Sequence, residues 1–302
     1  MIHQLNLDGK DKVEEAIERI QNFATLFSSD ESYFVAFSGG KDSVVVKKLC
    51  EMAGVKFEAH YSVTTVDPPE LTKFILKYHP DVIWDKHYYD KDGIFVKEGQ
   101  QISMLNLIPE KLMPPTRLVR YCCQCLKETS GDGRLTITGV RKAESANRKN
   151  NQGIVTVYNA TKQEKEDMIE TGFFQSTDKG GVVLTNDNEE SRDIIEYCYQ
   201  RRKTVLNPII DWDDSEVWEF IHEYSVPYCE LYDCGYKRLG CIGCPMSTHR
   251  KEELDRYPAI KKIYLMAFEK MLKARELKAR ELKARETAWK TAEEVMKWWI
   301  ER

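Results

Sequence analysis

The stretch Tyr33-Phe34-Val35-Ala36-Phe37-Ser38-Gly39-Gly40-Lys41-Asp42-Ser43 decides the fold. Its five leading apolar or aromatic residues predict a buried strand, and Ser43 to Cys50, with Val44, Val45, Val46 and Leu49, can open a helix. Between them lies a glycine turn. Glycine has no Cβ and tolerates positive φ, so such a turn lets backbone N–H groups approach a phosphate closely. The helix N-terminus adds donors and a favourable dipole end, and Ser38, Lys41 and Ser43 add side-chain donors. A plain strand-to-helix turn with chance glycines is the alternative. Ser, Lys, Asp and Ser at these offsets favour anion binding. The glycine spacing is not that of a Walker A loop.

Outward from the turn, the sequence alternates helix and strand. Val13, Ala16, Ile17, Ile20, Phe23 and Ala24 fall at helical spacing within residues 11–27, an apolar face for packing on a sheet. Further strands are expected at 56–61, 82–84 and 135–139. A helix should open at Pro68-Pro69-Glu70 behind Asp67. Strands separated by helices imply an α/β fold with a mainly parallel sheet covered on both faces. Ligands of such sheets sit at the carboxyl ends of the strands, where the glycine turn lies. Residues 143–203 are polar, with Asn147, Asn150, Asn151, Gly180, Gly181 and the run Asn186-Asp187-Asn188-Glu189-Glu190. They read as an elaborated, partly mobile loop with a small hairpin. Order returns at 205–210, and Asp213 or Asp214 should cap a helix carrying Val217, Trp218, Phe220 and Ile221.

In the tail, Leu272-Lys273-Ala274-Arg275-Glu276 recurs at 277–281 and 282–286. A five-residue period steps the leucines by about 140° around a helix and builds no apolar stripe. A long solvated helix is therefore expected, ending in an apolar patch at Trp289, Val295, Met296, Trp298, Trp299 and Ile300. The resulting division is one α/β domain over 1–250 and a helical extension over 251–302.

Composition sets the class. With 302 residues and 42% hydrophobic content the chain can bury a real core. A net charge of −4 excludes a global basic field for nucleic acid and leaves only local patches. No apolar run approaches the roughly 20 residues that span a bilayer, and the start lacks a signal-peptide pattern. A cytoplasmic protein without membrane association is expected. There, nine cysteines do not read as a disulfide framework.

Those cysteines cluster at Cys122-Cys123-Gln124-Cys125 and Cys241-Ile242-Gly243-Cys244-Pro245. A C-x-x-C pair lets two thiolates converge on one metal, and two groups can supply four ligands, for zinc or for an iron–sulfur cluster. A redox pair or buried unreactive thiols are the alternatives. Cys50, Cys198, Cys229 and Cys234 read as core or chance. Arg141, Lys142, Glu144, Ser145 and Arg148 follow the strand ending at Gly139. Arginines leaving the carboxyl end of a parallel strand face the crevice of the glycine turn, where guanidinium matches phosphate or sulfate geometry; a solvated loop is the alternative.

Four segments together resemble one family. Ser38–Ser43 resembles the PP-loop of the adenine nucleotide alpha-hydrolase-like superfamily. Gly139-Val140-Arg141-Lys142-Ala143-Glu144-Ser145 with Arg148 is similar to a segment of phosphoadenosine phosphosulfate (PAPS) reductases. So are Asn207-Pro208-Ile209-Ile210-Asp211-Trp212 with Glu216-Val217-Trp218, and the run from Val226 through Tyr232 and Tyr236 into Gly240-Cys241-Ile242-Gly243-Cys244. The resemblance covers roughly residues 30–250. It implies a Rossmann-like sheet binding an adenine nucleotide and, by similarity to the iron–sulfur branch, a [4Fe-4S] cluster on Cys122, Cys123, Cys241 and Cys244. Cys125 is then an unmatched extra.

Two departures bear on chemistry. Sulfonucleotide reductases of the family carry a late glutamate-cysteine-glycine segment with the attacking cysteine, whereas no cysteine follows Cys244 here. Many of them have also lost the lysine and final serine of the loop, which this chain keeps, as do relatives that cleave ATP between the α- and β-phosphates. The resemblance thus implies ATP binding coupled to sulfur transfer. Ser38, Gly39, Gly40 and Ser43 would hold pyrophosphate, with Lys41 neutralising it. Asp42 would orient the loop or hold magnesium, or serve only as a helix cap. Gly139, Arg141 and Arg148 would complete the site, the arginines gripping the acidic end of the substrate. The alternatives are a reductase of PAPS or adenosine phosphosulfate (APS) using Cys125 or Cys234, and a non-catalytic ATP-binding subunit docked through the tail helix. Expected partners are a sulfur donor or reductant protein, a nucleic-acid or small-molecule sulfur acceptor, and a second copy of the chain.

Overall fold

In the computed structural model, residues 2–5, 9–26, 31–128, 130–131, 133–199, 201–282 and 289–301 are described. The strands are β1 (Tyr33–Ala36), β2 (Phe57–Ser62), β3 (Ile83–Asp85), β4 (Thr136–Ile137), β5 (Val155–Val157), β6 (Phe174–Ser176), β7 (Val182–Leu184) and β8 (Thr204–Leu206). They form one sheet in the order β3-β2-β1-β4-β8-β5-β7-β6. β1 pairs in parallel with β2 and β4, and β4 with β8. Beyond β8 the sheet turns antiparallel, through β5 on β8, β7 on β5 and β6 on β7. The expected α/β sheet is present, with an antiparallel edge added.

That edge corrects the reading of 143–203 as an elaborated loop with a small hairpin. The region contains β5, β6 and β7 and the helices α6 (Ala146–Asn151), α7 (Lys162–Glu170) and α8 (Glu189–Tyr199). Its strands are only three residues long, too short to show a hydrophobic period against polar flanks. Val155, Val157, Val182, Val183 and Leu184 are nevertheless buried.

The chain divides into two compact units, residues 1–61, 73–83 and 131–238, and residues 62–72, 84–130 and 239–302. In the first, α1 (Lys12–Ala24) and α9 (Asp214–Glu223) both pack on α2 (Lys41–Ala53). Asp213, not Asp214, caps α9: its carboxylate accepts from the Glu216 N–H, and the Glu216 carboxylate in turn accepts from the Asp213 N–H. α3 (Pro69–Tyr78) opens at the predicted prolines.

The second unit holds α4 (Met104–Lys111), α5 (Tyr121–Leu126), α10 (Arg250–Arg256), α11 (Pro258–Leu282) and α12 (Ala292–Glu301). The tail, expected as a long solvated helix, is core here. Tyr264, Ala267, Phe268, Met271 and Ala274 on α11 are buried with Ala292, Val295, Met296 and Trp299 on α12. The repeat itself makes no stripe, but the residues before it recur at helical spacing and extend into its first copy at Ala274. Most of the third copy lies outside the described residues.

Candidate functional site

The glycine turn is built as its sequence requires. Gly39 sits at φ 71°, a conformation that disfavours other residues, and Gly40 is the extended N-cap of α2. Ser43 Oγ donates to the Gly40 carbonyl at 2.8 Å and accepts from the Ser38 N–H at 3.2 Å. Ser38 Oγ accepts from the Gly40 N–H at 3.3 Å. Both serines therefore brace the turn from within. A residue that sequence reasoning gave no role, Tyr232, reaches the turn from outside: its hydroxyl oxygen accepts from the Lys41 N–H at 2.8 Å. Burial raises its phenol well above the usual value, so it stays neutral.

Gly139 follows β4 at a point where a Cβ would stand 2.8 Å from the backbone carbon and oxygen of Asp42. Only glycine lets the strand end and the first turn of α2 approach this closely. The charged groups beside them form one network. Arg141 Nε donates to Asp42 Oδ1 at 2.7 Å, Nη2 to Asp214 Oδ1 at 2.7 Å, and Nη1 to the Trp212 carbonyl at 3.3 Å. Lys41 Nζ lies 3.1 Å from Asp214 Oδ1 and 3.4 Å from Asp42 Oδ2. Burial by itself would raise the Asp214 carboxyl, but hydrogen bonds from Arg141 and Lys41 outweigh it and hold the carboxyl below its usual range.

This geometry bears on two of the predicted site residues. The Arg141 side chain is only 2% exposed and its guanidinium is engaged on three sides, by Asp42, Asp214 and the Trp212 carbonyl. Asp42 is not the N-cap of α2, which is Gly40, and its two carboxylate oxygens face Arg141 and Lys41. Arg148 pairs with Glu144, and burial followed by the neighbouring Arg238 lowers its pKa. The half-buried Arg148 guanidinium beside the exposed Arg238 is suited to an anion. Asp214 and Tyr232 were legible only as a cap and as an unassigned tyrosine of the matched segment.

The second unit gathers cysteines. Arg120 donates to Cys123 Sγ at 3.2 Å. A hydrogen bond from Cys122 comes first and Arg120 adds to it, bringing the Cys123 thiol down to about 5. Cys122 is pushed up, first by its bond to Cys123 and by burial, with Cys241 and Cys244 adding like charge. Burial raises Cys241 to about 11 against the pull of Lys127 and a Thr64 hydrogen bond. The four predicted ligands thus share one electrostatic neighbourhood. No set of three or more Cys, His, Asp or Glu side chains lies in ligating geometry among the described residues. Cys125 is half-buried against the apolar core of this unit. Cys50, Cys198 and Cys229 are buried, and Cys234 is exposed.

Residues 32–247 match the family model described as the phosphoadenosine phosphosulfate reductase domain. The chain belongs to this PAPS reductase family. The match contains the PP-loop, the Gly139–Arg148 segment and both cysteine groups, and it ends before α10. An adenosine 5'-phosphosulfate reductase of Salinibacter ruber is 34% identical over 77 residues, 24% of this chain and 29% of that protein. An uncharacterised protein of Methanocaldococcus jannaschii is 26% identical over 246 residues, 78% of this chain and 40% of that one. The chain therefore spans well under half the length of these relatives. A phosphate complex of the PAPS reductase of Candida auris is similar at 14% identity with a TM-score of 0.39, over 79% of this chain and 96% of that chain. No helix among the described residues is long and apolar enough to cross a membrane.

Proposed function

We propose that this PAPS reductase family member is an enzyme that binds ATP on the Ser38–Ser43 loop. It would cleave ATP between the α- and β-phosphates and couple that cleavage to sulfur transfer. The supporting observation is Lys41. Its side chain is 7% exposed at the N-terminus of α2, with its ammonium beside Asp42 and Asp214. An ammonium preorganised at a helix N-terminus stabilises charge as it develops on a leaving pyrophosphate. Ser38, Gly39, Gly40 and Ser43 shape the cradle, Asp42 and Arg141 orient it, and Gly139 admits the close approach behind it. Arg148, with Arg238, would face an anionic group of the substrate.

Cys122, Cys123, Cys241 and Cys244 would hold a [4Fe-4S] cluster, or zinc. The chemistry of the donors supports this reading: four sulfurs lie in one unit, with the cations Arg120 and Lys127 beside them to favour thiolates. When bound, a cluster supplies a soft site that delivers or tunes sulfur. A second reading, reduction of APS or PAPS to sulfite, is supported by the likeness to the Salinibacter ruber reductase.

The test is pyrophosphate release from ATP by anaerobically purified protein, with Lys41→Ala as the comparison. Release lost in the variant supports the proposal. Sulfite formed from PAPS or APS with thioredoxin and without ATP would replace it with the second reading. ATP bound without turnover under any sulfur source would reduce the chain to a nucleotide-binding subunit.

A further inference from the structure

The loop Cys241–Pro245 is fastened largely by residues that the family match does not include. The Ile242 carbonyl accepts from the Tyr264 hydroxyl at 2.9 Å, while the Ile242 N–H donates to the Val66 carbonyl at 2.9 Å. The Gly243 N–H donates to Glu253 Oε2 at 3.0 Å, and Glu253 Oε1 accepts from the Ser247 hydroxyl at 2.6 Å. The Pro245 carbonyl accepts from Arg250 Nη2 at 2.8 Å and from Arg117 Nε at 3.0 Å. Arg250 Nη1 donates to the Trp299 carbonyl, and Trp299 Nε1 donates to the Pro115 carbonyl at 2.7 Å. The clasp therefore runs from the loop through α10 and α11 to α12.

Packing tightens it. Gly243 has φ 71°, and a Cβ there would meet Trp299 at 3.0 Å, Leu254 at 3.2 Å and Tyr264 at 3.3 Å. The Tyr264 and Trp299 rings stand 4.7 Å apart, and the Arg250 guanidinium lies 5.3 Å from the Trp299 ring. Arg250 is buried, a costly place for a cation unless it holds something in position. What it holds is the carbonyl next to Cys244. A solvated tail would need none of these contacts.

We propose that α10–α12 is a positioning clamp for the Cys241 and Cys244 thiols, acting through Arg250, Glu253, Tyr264 and Trp299. The proposal rests on the cysteine-site reading only for the identity of what the thiols hold. The clamp sets their spacing by fixing the backbone on both sides of Gly243, as outer-shell hydrogen bonds orient ligands elsewhere.

The experiment uses the full chain, purified anaerobically, with Arg250→Lys, Glu253→Gln and the milder Tyr264→Phe. Iron and zinc retention against a chelator and N-ethylmaleimide labelling of Cys241 and Cys244 in metal-free protein are measured. Hydrogen exchange over 41–53 in the other unit is the control. Retention should fall about tenfold in Arg250→Lys and Glu253→Gln. Labelling should change severalfold, with smaller shifts of the same sign in Tyr264→Phe and protection of 41–53 unaltered. Wild-type labelling and retention in all three variants would overturn the clamp. Loss of protection over 41–53 in step with loss of metal would overturn it too, since the damage would then be global. If wild-type protein holds no metal, the cysteine-site reading fails and labelling alone decides the clamp.

Discussion

Replacing Arg141 by methionine tests whether this arginine organises the nucleotide loop or is free to bind a ligand. Its bond to Asp42 joins side chains 2% and 22% exposed, so the buried-pair range applies, and removing one partner costs about 3–5 kcal/mol. The Asp214 end is 67% exposed and contributes at most about 1 kcal/mol. Because Asp42 lies in the first turn of α2, the loss should appear as local opening there. A cost of about 3 kcal/mol corresponds to a loss of protection of roughly 100-fold or more, at 1.36 kcal/mol per decade. Hydrogen exchange by mass spectrometry over residues 41–53 reads this without ligand. Asp42→Asn and the double variant close the cycle, and the double variant should fall short of the summed losses by about 2 kcal/mol. Additivity within about 0.5 kcal/mol, or unchanged protection in Arg141→Met, would refute the organising role and return Arg141 to ligand binding.

Gly139→Ala should cost about 1–3 kcal/mol by overpacking against Asp42 and weaken ATP binding at least tenfold, checked by denaturation and calorimetry. Asp213→Ala should cost about 1 kcal/mol through the lost α9 cap, leaving ATP affinity within twofold, whereas Asp214→Ala should do the reverse. His3 is raised to about 9, first by its hydrogen bond to Glu223 and then by Asp11. Its folded value exceeds the unfolded 6.5, so its stabilisation is full below pH 6.5 and lost as pH rises through 9. The group is 43% exposed, which limits the effect to at most about 1 kcal/mol. His3→Gln should therefore destabilise at pH 6 and be neutral at pH 10, with the His3 ring titrating near 9 by NMR.

Local chemistry was readable wherever a few consecutive residues carry a backbone requirement. Residues 33–43 determined a strand, a turn with positive φ at Gly39 and a helix start, because glycine and the apolar run leave few other conformations. A helix cap at Asp213 or Asp214, the prolines opening α3 and the clustering of cysteines at two points were legible for the same reason. The antiparallel edge was not, since three-residue strands such as Val155–Val157 carry no measurable period and depend on the neighbour they pair with. Nor was the tail, where Tyr264, Phe268 and Met271 recur at helical spacing just before the repeat but are buried only by the helix that packs on them.

The sequence by itself determined the PP-loop, the two cysteine groups and the membership they imply, because those signals are short and contiguous. Only the tertiary structure decided that Arg141 is spent on Asp42 and Asp214, 99 residues and 73 residues away along the chain. It alone brought Tyr232 to the Lys41 amide and Arg250 to the Pro245 carbonyl. A charged side chain shows its type in sequence, but its role depends on which partner burial forces upon it, and that partner is chosen by the fold.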